Sequence, residues 1–200
     1  PSLDFCCPKD WIAKNLGDCL VTMKRKPEAD IIYTQCKKED GISRGKGIGY
    51  RNGIKFYEGD FVDGKSNGKG ITYYRNGVKR YEGDWKDGKR HGKGVRYYEN
   101  GDKCYEGDWK DNNFHGKGIE YDENGVKRYE GDWIDGEKHG KGIGYHGNGV
   151  KYYEGDWRVH KINGKGIGYD ENGKKYYEGD FVDGKRHGKG VGYHENGKKR

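Results

Sequence analysis

Residues 81–104 read YEGDWKDGKRHGKGVRYYENGDKC, and this stretch decides the fold because it recurs. Its opening Tyr-Glu-Gly-Asp returns at Tyr57, Tyr81, Tyr105, Tyr129, Tyr153 and Tyr177, always 24 residues apart. Six units therefore occupy 57–80, 81–104, 105–128, 129–152, 153–176 and 177–200. A degenerate unit over 33–56 lacks the Tyr-Glu-Gly-Asp signature, although its Asp40-Gly41 aligns with the later Asp-Gly pairs. It is also one residue shorter between Gly-Lys-Gly and Asn-Gly. A fixed period of this length signals stacked elements rather than one central core.

Composition alone points elsewhere. Only 30% of the 200 residues are apolar, Leu, Ile, Val and Phe together number 29, and 36% are charged. Such a balance describes disordered chains. The 18 Tyr and 5 Trp reverse that reading, since they fall at repeating positions and can serve as the buried material. The net charge of +7 belongs to the repeats, because residues 1–32 carry five basic and five acidic side chains. Lys and Arg interleaved with Glu and Asp describe a solvated surface more than a nucleic-acid groove. No apolar run approaches the roughly 18–20 residues of a membrane span. The five cysteines (Cys6, Cys7, Cys19, Cys36, Cys104) are odd in number and form no Cys-x-x-Cys pair, which favours a reducing, cytoplasmic setting over a disulfide framework. Residues 1–32 hold all three leucines and all three prolines. They are expected to form an N-terminal cap or the remnant of an upstream domain, with a short helix from Pro8 to Leu20. A start at Pro1 and an end on a repeat boundary suggest a piece of a longer protein.

Numbering each unit from its leading Tyr, positions 1–6 predict a strand, Asp-Gly at 7–8 a turn, and positions 12–18 a second strand. Asn-Gly at 20–21 predicts a two-residue hairpin turn. Glycines at positions 3, 12 and 14 lie inside strands, which predicts sharp curvature or aromatic rings lying flat on bare backbone. If both loops preserve strand parity, an even period returns each position to the same face. The position-1 Tyr then shares a face with position 5 (Phe61, Trp85, Trp109, Trp133, Trp157, Phe181). The Ile or Val of position 15 and the Tyr of position 17 are expected to join them, with Glu82 and Asp84 pointing the other way.

Tyr-Glu-Gly-Asp-Trp…Asp-Gly-Lys-Arg-His-Gly-Lys-Gly-Val…Tyr…Asn-Gly closely resembles the MORN repeat (membrane occupation and recognition nexus), over about residues 45–200. Two departures stand out. The unit is one residue longer than the family's usual length, the extra residue sitting before Asn-Gly. In the fifth unit Arg158-Val159-His160-Lys161-Ile162 replaces the usual Asp-Gly turn. The resemblance implies an all-β, elongated and twisted antiparallel array of β-hairpins with a groove, acting in protein–protein contacts and in lipid association. By strand spacing its length would be about 60–70 Å. Such repeats occur in scaffolds and beside catalytic domains, so they do not fix one function.

Nothing in the unit reads as a catalytic, cofactor or metal site. The histidines at position 11 (His91, His115, His139, His187) would stand about 10 Å apart, too far to share a zinc ion, and suit a loop hydrogen-bonding role. The repeated Gly-x-Gly has no following helix and no Gly-Lys-Ser/Thr. The expected function is a non-enzymatic scaffold binding a protein or peptide along an aromatic groove, with homodimerisation as a further option. The groove would comprise Tyr81, Trp85, Tyr97, Tyr105, Trp109, Tyr121, Tyr129, Trp133, Tyr145 and Trp157. Phe114, Val159 and Ile162 break the pattern with apolar side chains and are candidate specificity loops. An alternative is a module peripheral to membrane or cytoskeleton, in which Lys69, Lys93, Lys117, Lys141, Lys165 and Lys189 contact anionic phospholipid. A third is a targeting segment of a larger enzyme. Nucleic acid is not an expected partner, because the acidic columns would repel phosphate.

Overall fold

The structure, a computed structural model, describes residues 30–200. The expected cap and its helix, with Cys6, Cys7 and Cys19, lie outside the described residues save for 30–32. Those three open the first strand, β1 (Asp30–Glu39), which crosses the expected boundary after residue 32. Then come β2 (Ile42–Arg51), β3 (Ile54–Val62), β4 (Lys65–Tyr73) and β5 (Lys79–Lys86). A second run comprises β6 (Lys89–Tyr97), β7 (Lys103–Lys110), β8 (Asn113–Tyr121), β9 (Lys127–Ile134) and β10 (Glu137–Tyr145). It continues with β11 (Lys151–Arg158), β12 (Lys161–Tyr169), β13 (Lys175–Val182) and β14 (Lys185–Gly192). The chain is all-β, and no helix occurs among the described residues. It divides into two compact units, one ending at Lys89 and one beginning at Arg90. Within each, every strand pairs antiparallel with the next in sequence.

The turns explain the meander. Asp-Gly at positions 7–8 takes left-handed backbone at both residues, as at Asp87 (φ 50°) and Gly88 (φ 81°). That is the two-residue hairpin turn whose twist matches the flanking strands. It closes positions 6 and 9 directly, as Lys110 opposite Asn113, so the second strand starts at position 9 rather than 12. The Asn-Gly turn differs from expectation in all full units. Only the shorter first copy makes a two-residue turn, with Asn52 and Gly53 both left-handed (φ 52° and 74°). In the 24-residue units the extra residue makes a three-residue loop, in which Gly101 N–H donates to Tyr98 O and only the glycine is left-handed. Asn100 instead accepts the Asp102 N–H through its side chain (3.0 Å).

Two irregularities recur in each unit. Positions 12–13 bulge out of the hairpin, so that Asp108 faces His115 but the neighbouring Gly107 faces Gly118. Gly116 at position 12 has φ 60°, a conformation that favours glycine. The position-4 carboxylate holds this bulge, accepting the position-13 N–H: Asp108 Oδ2 to Lys117 N is 3.0 Å, and the bond repeats at Asp60, Asp132, Asp156 and Asp180. A second, one-residue bulge falls at position 24, as at Cys104 between the pairs Arg96–Tyr105 and Tyr97–Lys103.

A two-residue turn makes an odd position of the first strand face an even position of the second. Tyr105 lies opposite Glu120, and Glu106 opposite Ile119. Directly opposed residues point to the same face. The expected face assignment is therefore corrected: positions 15 and 17 stand with Glu of position 2, not with the Tyr and Trp of positions 1 and 5.

One face carries the core. Tyr57, Tyr81, Tyr105, Tyr129 and Tyr153 are at most 1% exposed. Tyr57, Tyr105, Tyr129 and Tyr153 each lie flat over a paired-glycine patch, as the glycine columns predict. A β-carbon at Gly118 would collide with both the Tyr105 hydroxyl and its ring. Each hydroxyl donates to the position-4 carbonyl of its own strand, as Tyr105 Oη to Asp108 O (2.9 Å). Edge-to-face contacts link Tyr105 to Trp109 (5.3 Å) and to Trp133 of the next unit (5.5 Å), and Tyr129 likewise to Trp133 and Trp157. Such pairs add about 0.5–1.5 kcal/mol each beyond burial. Four indole N–H groups donate to a glycine carbonyl of the preceding unit, as Trp109 Nε1 to Gly94 O (3.0 Å).

Candidate functional site

The structure separates the residues expected to form one aromatic groove. Tyr81, Tyr105, Tyr129, Trp109, Trp133 and Trp157 are buried in the ring row, and Trp85 is half-buried beside them. Tyr97, Tyr121 and Tyr145 are on the opposite face. The ring row has little to offer a ligand, because position 10 covers it. Phe114 stacks on Tyr105 (3.8 Å, 9°) and meets Trp109 and Trp133 edge-on. Arg90 lies over Trp109 at 4.4 Å. Lys138 lies over Tyr129, Trp133 and Trp157 while its amine pairs with Glu120 at 2.7 Å.

This corrects the specificity-loop reading. Phe114 and Ile162 are strand residues of β8 and β12, facing Trp109 and Trp157 across their hairpins. Their apolar character serves the row beneath. Val159 does sit in a turn and is 48% exposed. Val159 and His160 keep the usual turn geometry (φ 50° and 62°), so the departure in sequence leaves the backbone path intact. A β-branched residue is strained there.

The opposite face of the compact unit that begins at Arg90 bears a groove of about 1260 Å³. Its floor runs across the strands as Glu106, Ile119, Glu130, Ile143, Glu154, Ile167, Glu178 and Val191, beside a row of paired glycines. One wall is the position-13 lysines with their acids: Lys93–Asp108, Lys117–Asp132 and Lys141–Asp156, each 2.6 Å. The lysine side chains there are 69–72% exposed and their aspartates only 30–33%. Beyond the floor on the other side, outside the groove's lining, the same face carries the position-17 tyrosines opposite the position-23 lysines, as Tyr145 opposite Lys151. Lys127 donates to Glu130 at 2.8 Å, and the Tyr145 hydroxyl to the same oxygen at 3.3 Å. The same triad forms from Lys175, Glu178 and Tyr193.

The charges are thus internally compensated. Lys127 holds the Glu130 carboxyl below its ordinary range, with Tyr145 adding to the effect. Burial works against the Asp108 charge, but Lys93 and the Lys117 N–H outweigh it, and its carboxyl also lies low. Of the lysines proposed for anionic lipid, Lys69, Lys93, Lys117 and Lys141 are bound to aspartates of the following unit. Lys165 and Lys189 line the same groove. His115, His139 and His187 are strand residues opposite Asp108, Asp132 and Asp180, not loop residues. Among the described residues no cluster of three His, Cys, Asp or Glu is placed to hold a metal ion.

Two columns escaped the sequence reading. Position 10 looks variable because its members are Ser, Arg, Phe, Lys, Ile and Arg, and the longer of these share only a stem able to cover a ring. Position 24 packs on position 16: Phe56, Tyr152 and Tyr176 lie against Gly49, Gly144 and Gly168. Where position 16 is larger (Thr72, Arg96, Glu120), position 24 is Arg80, Cys104 or Arg128, and the last unit departs from the pattern with Gly192 against Arg200. That covariation was available in the sequence.

The family profile described as MORN repeat matches residues 57–79, 81–103, 105–127, 129–143 and 177–198, and a MORN repeat variant matches 162–183. The strained Val159-His160 turn falls between these matches. No curated protein matches the chain.

Proposed function

Since the chain belongs to the MORN repeat family, generally non-catalytic repeats found in scaffolds that bind proteins or membranes, we propose that it is a non-enzymatic scaffold holding a protein partner in the groove above Ile119, Ile143, Ile167 and Val191. One observation carries the reading: this is a continuous concave surface with half-buried aliphatic side chains that no other part of the described chain covers. The ring face is closed by position 10. Lipid contact through the lysine column is the weaker reading, because Lys69, Lys93, Lys117 and Lys141 already bind aspartates and a flat bilayer would meet the column without filling the groove beside it.

The test compares wild type with Ile143→Arg/Ile167→Arg, after circular dichroism shows both folded. Proteins retained from an extract of the source cells are identified for each, alongside co-sedimentation with anionic vesicles over a salt series. The proposal expects at least one protein lost with the variant and no vesicle binding. Identical retained proteins from both forms would refute it, as would vesicle binding at low salt that the variant leaves unchanged.

A further inference from the structure

The groove has a metric that constrains its occupant. Equivalent residues recur every second strand, or about 9.6 Å, so Ile119, Ile143, Ile167 and Val191 mark out roughly 29 Å. The groove runs across the strands, and the floor's backbone groups are already paired along them. An added β-strand is therefore excluded, and its same-face repeat of about 6.8 Å would not fit either. An α-helix repeats a face about every seven residues, or 10.5 Å. It would drift from the floor by about 0.9 Å per unit and nearly 3 Å over the four. A polyproline II chain repeats a face every three residues, or about 9.3 Å, and drifts only about 1 Å over the same span.

Donor chemistry points the same way. A helix satisfies its own carbonyls, whereas a polyproline II backbone leaves them open to outside donors. The Lys117 and Lys141 side chains stand 71% and 69% exposed on one wall, each amine with three N–H donors of which one serves an aspartate. A half-buried tyrosine row, Tyr121, Tyr145 and Tyr169, runs on the same face beyond the floor, outside the groove's own lining. The rim of the lysine wall is cationic, because its aspartates are the deeper partners, while Glu130, Glu154 and Glu178 of the floor are each paired with a lysine.

We infer that the groove takes a polyproline II segment with an apolar side chain at every third residue and neutral or acidic residues between. This rests on the protein-binding reading and specifies the partner within it. The test is selection of 15-residue peptides from a random displayed library on the full chain, with counter-screening against Ile143→Arg/Ile167→Arg and against Lys141→Glu. Expected binders are lost on the double variant, repeat an apolar residue every three positions, and carry net negative charge. Lys141→Glu weakens them about tenfold. Binders that require the groove but repeat every seven or every two residues, or that are basic, would overturn the inference and leave the groove reading standing. Binders indifferent to the double variant, or no binders at all, would overturn both.

Discussion

Gly144 and Tyr152 allow the packing logic to be tested by a change of sign. A β-carbon at Gly144 would collide with Cζ of Tyr152, far inside the roughly 3.5–4.0 Å at which two carbons rest comfortably. The Gly144 backbone does not require glycine, so the obstacle is the ring alone. Alanine at 144 therefore displaces the ring by about an ångström, a fault of overpacking that costs about 1–3 kcal/mol. Against that, alanine in a strand gains about 0.5–1 kcal/mol over glycine. The net expectation is a loss of roughly 0.5–2 kcal/mol in the wild-type background. In Tyr152→Arg, which copies the pairing of Glu120 with Arg128, the obstacle is gone and Gly144→Ala stabilises by about 0.5 kcal/mol. Urea unfolding followed by tryptophan emission reads both, and Trp157, 6.4 Å from Tyr152, reports locally. An effect of Gly144→Ala that agrees between the two backgrounds within about 0.3 kcal/mol would refute the steric account.

Other perturbations test the same packing. Phe114→Ala uncovers Tyr105 and Trp133 and, being half-exposed in the wild type, costs about 2 kcal/mol, read by urea unfolding with a red shift of emission. Replacing the strained pair by Val159→Asp/His160→Gly gains about 1 kcal/mol, visible as a melting temperature higher by some 2–4 °C. Burial raises the phenols of Tyr57, Tyr105, Tyr129 and Tyr153 above their ordinary value of 10.0. The unfolded chain therefore releases these protons first, so stability is full below about pH 10 and falls as pH rises beyond it. A urea midpoint that stays flat from pH 9 to 11 would contradict this.

The period, the strand pairing and the ring row of positions 1 and 5 were legible because each rests on local signals repeated six times. The face of Ile143 and Tyr145 was not, because it depends on the parity of a turn rather than on spacing. Asp135 and Gly136 supply two turn residues, which sets odd positions against even ones, and no alternation within a single strand reveals that. The bulges at Gly140 and Tyr152 were hidden for a related reason, since they preserve the period while altering which residues oppose each other. The candidate groove consequently moved from the tryptophans to the glutamate and isoleucine face. Phe114 was correctly singled out as unusual but misassigned, because its partner rings are distant in sequence.

The tryptophan hydrogen bonds make the array directional. Each indole reaches back 15 residues to a hairpin already made, so a unit emerging during synthesis is received by its predecessor before its successor exists. Phe181 has no N–H to offer, and the joint it makes is held by ring contact with Tyr153 without that bond. If the array is peeled hairpin by hairpin from the β14 side, Trp157 is the first indole hydrogen bond that must break.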